Sequence, residues 1–212
     1  VLGDLKTAFS NLKDLSDLNT VIPKNSQSSA FAVTTSANAT ASSHTVSVTA
    51  LAKAQRNISS GFAGTATSIN GGAGFSFTLT KGSGAAQTTT TMNIAAGDDT
   101  PAGIVATINA YKAGVTAQLV NTGDAAAPYK IVVTGATGAD NNFTLTSNNG
   151  ANPAAEVTGL SFGNPIQTAA NAAATIDGIA VTSSTNRIEG ALAGVTFDLS
   201  TLTTGTATVD LS

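Results

Sequence analysis

The sequence contains no cysteine and no tryptophan, one histidine, one methionine and only 10% charged residues in a chain of 212. Without cysteine there is no disulfide framework, no thiolate metal ligand and no thiol nucleophile. Nine basic against twelve acidic residues, thinly spread, form no basic stripe able to neutralise a run of phosphates, so nucleic acid is not an expected partner. No apolar run approaches the roughly 20 residues needed to span a bilayer, and no charged-then-apolar signal peptide opens the chain. A soluble protein without a membrane partner is expected, with any export address outside this segment or of another kind.

What remains is rich in Thr, Ser, Ala and Gly, with 21 glycines and 5% aromatics. That composition suits a mainly β (α+β) protein with many tight turns. The length allows one large domain or two small ones.

Leu2, Leu5, Phe9, Leu12, Leu15 and Leu18 recur at intervals of three and four residues, which predicts a helix with one apolar stripe. Leu5, Leu12 and Leu15 are its candidate helix-packing or oligomer contacts. Two heptads are too few for a coiled coil alone, so the stripe either packs on the β domains, meets another subunit or has a partner outside the segment. Pro23 ends the pattern, and residues 24–29 read as a polar linker.

Residues 30–35 and 45–49 alternate as strands. "LAKAQRNI" at 51–58 fits a helical turn as well as an edge strand. Phe75, Phe77 and Leu79 then alternate ahead of a Gly-Ser turn and a Thr-rich second strand, a predicted hairpin.

Thr100 and Pro101 form a helix start, with Ile104, Ile108 and Tyr111 on the buried side and Gly114 as the left-handed cap. Alternation resumes at Val115, Ala117 and Leu119, and again at Tyr129, Ile131 and Val133, which predicts one helix packed across a sheet of hairpins. Asp177-Gly178, between two alternating runs, is the strongest short hairpin signal in the chain. Asn186 with Glu189 three residues on resembles a capping box for a short helix, followed by strands at Val195, Phe197 and Leu199 and at Val209 and Leu211.

The matching textures of the two ends place a helical segment at 1–22, a discontinuous β-rich domain at 26–66 and 168–212, and an inserted α+β domain at 67–167.

Groups for chemistry are scarce. A Ser/His/Asp site would have to use His44, the one histidine, and no nucleophile or acid partner is evident from spacing, so His44 reads as a surface residue at a strand start. Asp98 and Asp99 precede a helix, where negative charge favours the dipole, and no D-x-D-x-D-G pattern surrounds them. Gly71, Gly72 and Gly74 precede a strand with no Lys-Ser/Thr after them, which indicates a turn and not a phosphate loop. The triplets at Asn38, Asn57 and Asn142 match the glycosylation pattern but are expected by chance in such a composition. No catalytic, cofactor-binding or metal residue is assigned, and no enzyme activity or cofactor is expected.

Three stretches together carry a resemblance: "HTVSVTALAKAQRNISSGF" at 44–62, "TPAGIVATINAYKAGVTAQLVN" at 100–121 and "AANAAATIDGIAVTSSTNRIEGALAGVTFDL" at 169–199. Their order and their "V-x-x-L-A-x-A-Q", "I-N…G-V-x-A" and "I-D-G…G-V-T-x-x-L" elements resemble the flagellar filament cap family, hook-associated protein 2. The resemblance implies a secreted structural protein, exported by the flagellar type III apparatus and forming a ring of identical subunits at the filament tip. There its head domains would form a plate and it would help exported flagellin fold and insert, with adhesion to host mucin as a further role in some bacteria. It also implies that helical legs accompany the head, of which residues 1–22 would be part, the rest lying beyond Ser212. The outer domain of a flagellin or hook-filament junction protein, or a β-rich adhesin module, are the alternative readings.

Overall fold

The computed structural model describes residues 21–150 and 155–212. The predicted leg helix, with Leu5, Leu12 and Leu15, lies outside the described residues.

The chain divides into two compact units, one of residues up to 51 together with 172–212, the other of residues 52–171. In the first, five strands are ordered β1-β14-β3-β10-β11: β1 (Pro23–Asn25), β3 (Ser42–Ala50), β10 (Ala172–Ile176), β11 (Ile179–Ser183) and β14 (Ala207–Leu211). A second sheet is ordered β12-β13-β2, from β2 (Phe31–Thr35), β12 (Arg187–Leu192) and β13 (Val195–Leu199). Every pairing is antiparallel. Alternation sets which residues go inside: Val46 and Val48 on β3, Ala172, Ala174 and Ile176 on β10, and Ala207, Val209 and Leu211 on β14 are all buried. On the smaller sheet Phe31 packs against Phe197, with ring centroids 6.0 Å apart.

Asp177 and Gly178 have φ of 50° and 80°, so the turn between β10 and β11 has both central residues in the positive-φ region that matches strand twist. Gly194 is required for a different reason: at φ 71°, a Cβ there would also lie 2.4 Å from the Ala39 nitrogen.

Two local expectations change in this unit. The stretch expected to be a linker begins with β1, whose Pro23 pairs opposite Leu211 on the sheet edge, the one place where a missing N–H is harmless. Asn186 and Glu189 do not cap a helix. Ile188 faces Phe197 across β12 and β13, and Glu189 turns its carboxylate to Arg187, so cross-strand burial overrides the local capping pattern.

The second unit holds two three-stranded sheets and one helix. The sheets are β4-β8-β7, from β4 (Ala54–Phe62), β7 (Val115–Asn121) and β8 (Tyr129–Thr137), and β6-β5-β9, from β5 (Phe75–Lys81), β6 (Thr88–Ile94) and β9 (Phe143–Asn148). Helix α1 (Pro101–Tyr111) starts as its sequence indicates: the Thr100 hydroxyl accepts from the Gly103 N–H at 3.1 Å, with Pro101 next to it. Ile104 and Ile108 are fully buried among Phe77, Leu79, Met92, Ile131, Val133 and Leu145.

The Phe77 ring meets Phe75 and Phe162 edge-on, at 5.2 and 5.8 Å between centroids. Tyr111, expected on the buried side, is 40% exposed because its hydroxyl reaches out to accept the Asn93 N–H at 2.9 Å. The left-handed residue that closes α1 is Lys112, and Gly114 supplies a second positive φ.

The unit boundaries fall at 51/52 and 171/172, where sequence texture placed them at 66/67 and 167/168. The difference is β4, which pairs with β8 and not with the flanking β-rich unit. Its buried residues include Gln55, Asn57 and Ser59, each 4% exposed, so the face that goes inside carries a polar pattern instead of an apolar one.

Candidate functional site

Each stretch that carries the family resemblance holds a polar side chain with a definite structural task. In the second unit, Asn109, next to buried Ile108, reaches from α1 to the outer side of β7. Its amide accepts from the Ala117 N–H at 2.8 Å and donates to the Ala117 carbonyl at 2.9 Å. A side-chain amide has the same donor and acceptor pair as a peptide group, so Asn109 fills one rung of the strand ladder. The "I-N…G-V-x-A" element is therefore one contact: Ile108 anchors the helix, and Asn109 pairs with the Ala of the following strand.

Gln55 repeats the device in the same unit. Its amide accepts from the Phe143 N–H at 3.1 Å and donates to the Phe143 carbonyl at 2.5 Å, where β9 begins. It also donates to Asn57 at 2.7 Å, and Asn57 in turn donates to the Gly163 carbonyl at 3.0 Å. Ser59 accepts from the Ile131 N–H at 2.8 Å. The buried face of β4 is polar because each of its groups completes the backbone bonding of a neighbour. Asn57, one of the three glycosylation triplets, is thereby buried.

Asp99 is 1% exposed, and its carboxylate accepts from the Ser68 hydroxyl at 2.6 Å and from the N–H groups of Asn70 and Gly72 at 2.8 and 2.9 Å. The Ser68 bond, with the two backbone donors, holds its carboxyl below the usual Asp range against the opposing effect of burial. Asp99 thus pins the "NGG" turn, where Gly71 and Gly72 have positive φ, a more specific task than favouring the helix dipole.

In the first unit, His44 is not an ordinary surface residue. Its Nδ1 lies 2.6 Å from Asp177 Oδ2 and its Nε2 lies 2.9 Å from Ser42 Oγ. The other Asp177 oxygen accepts from the Thr45 N–H at 2.8 Å and the Thr45 hydroxyl at 3.2 Å. The His44 bond, followed by the Thr45 N–H, holds the Asp177 carboxyl below its usual range. The partners of His44 that spacing did not reveal are Ser42 and Asp177. Ser42 is within reach of sequence reasoning, two residues away on the same strand face, whereas Asp177 is 133 residues distant and carries only a turn signal in the sequence.

Among the described residues no group of three His, Cys, Asp or Glu side chains stands together as a metal site, and no helix is long and apolar enough to cross a membrane.

A helix-bearing β unit set within the chain of a second β unit defines the class: a β-rich two-unit module. Residues 1–55 match the flagellar hook-associated protein 2 N-terminus family model, and residues 169–212 match the flagellar hook-associated protein 2 C-terminus model. The fold is similar to the D2-D3 domains of the flagellar cap protein FliD from Escherichia coli, with 30% identity and a TM-score of 0.78 over 92% of this chain and 98% of that one. The E. coli FliD D1-D2-D3 structure matches with 30% identity and a TM-score of 0.79 over 97% of this chain, which spans 63% of its length. The D2-D3 domains of the Serratia marcescens cap protein match at 26% identity and a TM-score of 0.71, over 86% of this chain and 100% of that one. No curated protein matches by sequence. The chain belongs to the flagellar hook-associated protein 2 family, the flagellar cap proteins.

Proposed function

We propose that this chain is the head of a flagellar filament cap, placed at the distal tip of the flagellum after export by the flagellar type III apparatus. The observation that carries the reading is the 30% identity with the E. coli cap protein head extending through both units. In this role the head works by shape. Copies of the full-length protein form a ring, their mismatch with the filament leaves a gap for the incoming flagellin, and weak contacts let the ring step onward. Leu5, Leu12 and Leu15 are proposed to pack the leg helices or the ring contacts.

The surfaces proposed for the weak contacts are uncharged and polar. On the outer strand β6, Thr88, Thr89 and Thr91 are exposed, and such an edge offers backbone groups without a charge to fix a permanent partner.

The test is complementation of a strain that lacks its cap protein by the full-length protein carrying this head. Restored filaments and a drop in unpolymerised flagellin in the medium are expected. Continued loss of flagellin monomer, with the protein exported, overturns the reading.

A further inference from the structure

The geometry around His44 points to a reactive serine: we infer that Ser42, with His44 as its base and Asp177 as the residue that positions the ring, accepts a short neutral acyl group from an activated ester. The inference concerns one unit of this chain and stands independently of the cap reading.

A carboxylate only accepts hydrogen bonds, so in the neutral ring the proton sits on Nδ1, 2.6 Å from Asp177 Oδ2. The Nε2 lone pair is then left facing Ser42 Oγ at 2.9 Å, within the reach of a general base. Asp177 cannot swing away freely. Its second oxygen is held by Thr45, its own N–H donates to the Thr45 carbonyl at 2.9 Å, and it sits in the tight turn between β10 and β11. These are the roles of nucleophile, base and orienting acid, which are recognised by geometry and not by chain order. The Ser42 hydroxyl also lies 3.0 Å from the Thr40 carbonyl, to which it donates a hydrogen bond when it does not donate to His44 Nε2.

A cavity of about 170 Å³ opens beside these groups, with Leu192, Ala193, Val195 and Leu211 in its wall. It is smaller than a usual ligand pocket of about 300 Å³ or more. An acetyl to butyryl chain fits that volume. Apart from His44, which serves as the base, the described residues that line the cavity include no basic side chain to hold a carboxylate, so the acyl group is a neutral one.

In the reaction Ser42 Oγ bonds to the carbonyl carbon as its proton passes to His44 Nε2. The adduct collapses as the leaving oxygen departs with the bonding electron pair and takes the proton from the ring. The products are O-acyl Ser42 and an alcohol or phenol. The site supplies a base and an orienting carboxylate but no assigned pair of oxyanion donors, usually the larger contribution, so activated esters and not amides are its substrates.

The test uses the 212-residue chain and a fluorophosphonate probe, in which the serine oxygen bonds to phosphorus and fluoride leaves with its electron pair, followed by mass mapping. One adduct, on Ser42, is expected. Ser42→Ala abolishes it, and both His44→Gln and His44→Asn slow it at least tenfold while far-UV circular dichroism is unchanged. Asp177→Asn keeps a residue suited to the turn but not the anionic acceptor, and it slows labelling without changing the spectrum. The release of one equivalent of 4-nitrophenol from 4-nitrophenyl acetate, with an acetyl group left on Ser42, follows the same order across the variants. An unlabelled wild-type chain, an adduct on another residue, or equal labelling rates in the folded histidine variants overturns the inference.

Discussion

Both units use side-chain amides to satisfy a backbone N–H and carbonyl, and they do so in different surroundings. In the unit of residues 21–51 and 172–212 the buried strand positions are mostly small, with Val46, Val48, Ala172, Ala174, Ala207 and Val209 lining a five-stranded sheet. Its amide clamp is exposed: Gln27 accepts from the Thr204 N–H at 2.9 Å and donates to the Thr204 carbonyl at 3.0 Å, in water. The unit of 52–171 has only three-stranded sheets, an aromatic core around Phe77, and two clamps, one buried at Gln55 and one made by the exposed Asn109, whose bonds to Ala117 are part-buried. Water reaches the bonds of the first clamp freely, those of the Asn109 clamp in part and those of the Gln55 clamp not at all. The same pair of hydrogen bonds therefore carries a different cost when lost in each unit.

The largest expected effect comes from the aromatic core of the inserted unit, where the Phe75, Phe77 and Phe162 rings meet. Phe77→Ala removes a fully buried ring and should destabilise that unit by about 3–5 kcal/mol. Hydrogen exchange should show lost protection in β5, β6 and β9, and unchanged protection at Val46 and Val48 would confirm that the units keep separate cores.

Next, the three clamps form a series. Gln55→Ala strands the buried Phe143 N–H and carbonyl and should cost about 2–3 kcal/mol in urea unfolding. Asn109→Ala should cost about 1–2 kcal/mol, and Gln27→Ala less than about 1 kcal/mol. Equal costs for all three would break the argument that burial sets their value.

The smallest expected effect is titration of Asp99. Its folded pKa is lowered, so it contributes stability that is fully present above the unfolded Asp value of about 3.9 and is lost as pH falls through the lower folded value. The stability difference between the wild type and Asp99→Asn should stay constant above about pH 5 and shrink below about pH 4. A difference that persists unchanged in acid would show that Asp99 acts by shape alone.

Much of this architecture was legible in the residue pattern. Phe75, Phe77 and Leu79 alternate because one face of β5 is inside, and Thr100-Pro101 marks the start of α1 because few residues suit those two positions. Asp177-Gly178 identifies its hairpin because few residues accept two successive positive φ values. β4 was not legible, since its buried side is Gln55, Asn57 and Ser59 and hydrophobic alternation carries no information there. Of the Ser42–His44–Asp177 group only the two strand residues could be grouped, because chain distance hides the third.

The sequence by itself determined which faces turn inward wherever they are apolar, where the helix between β6 and β7 begins and which turns are tight, because these follow from local periodicity and from residues with few allowed conformations. Only the tertiary structure decided which unit owns β4, that Asn186 precedes a strand and Glu189 lies within it, and that His44 meets Asp177. Each of those outcomes depends on which backbone groups or charges need a partner, and a partner is chosen by position in space and not by distance along the chain.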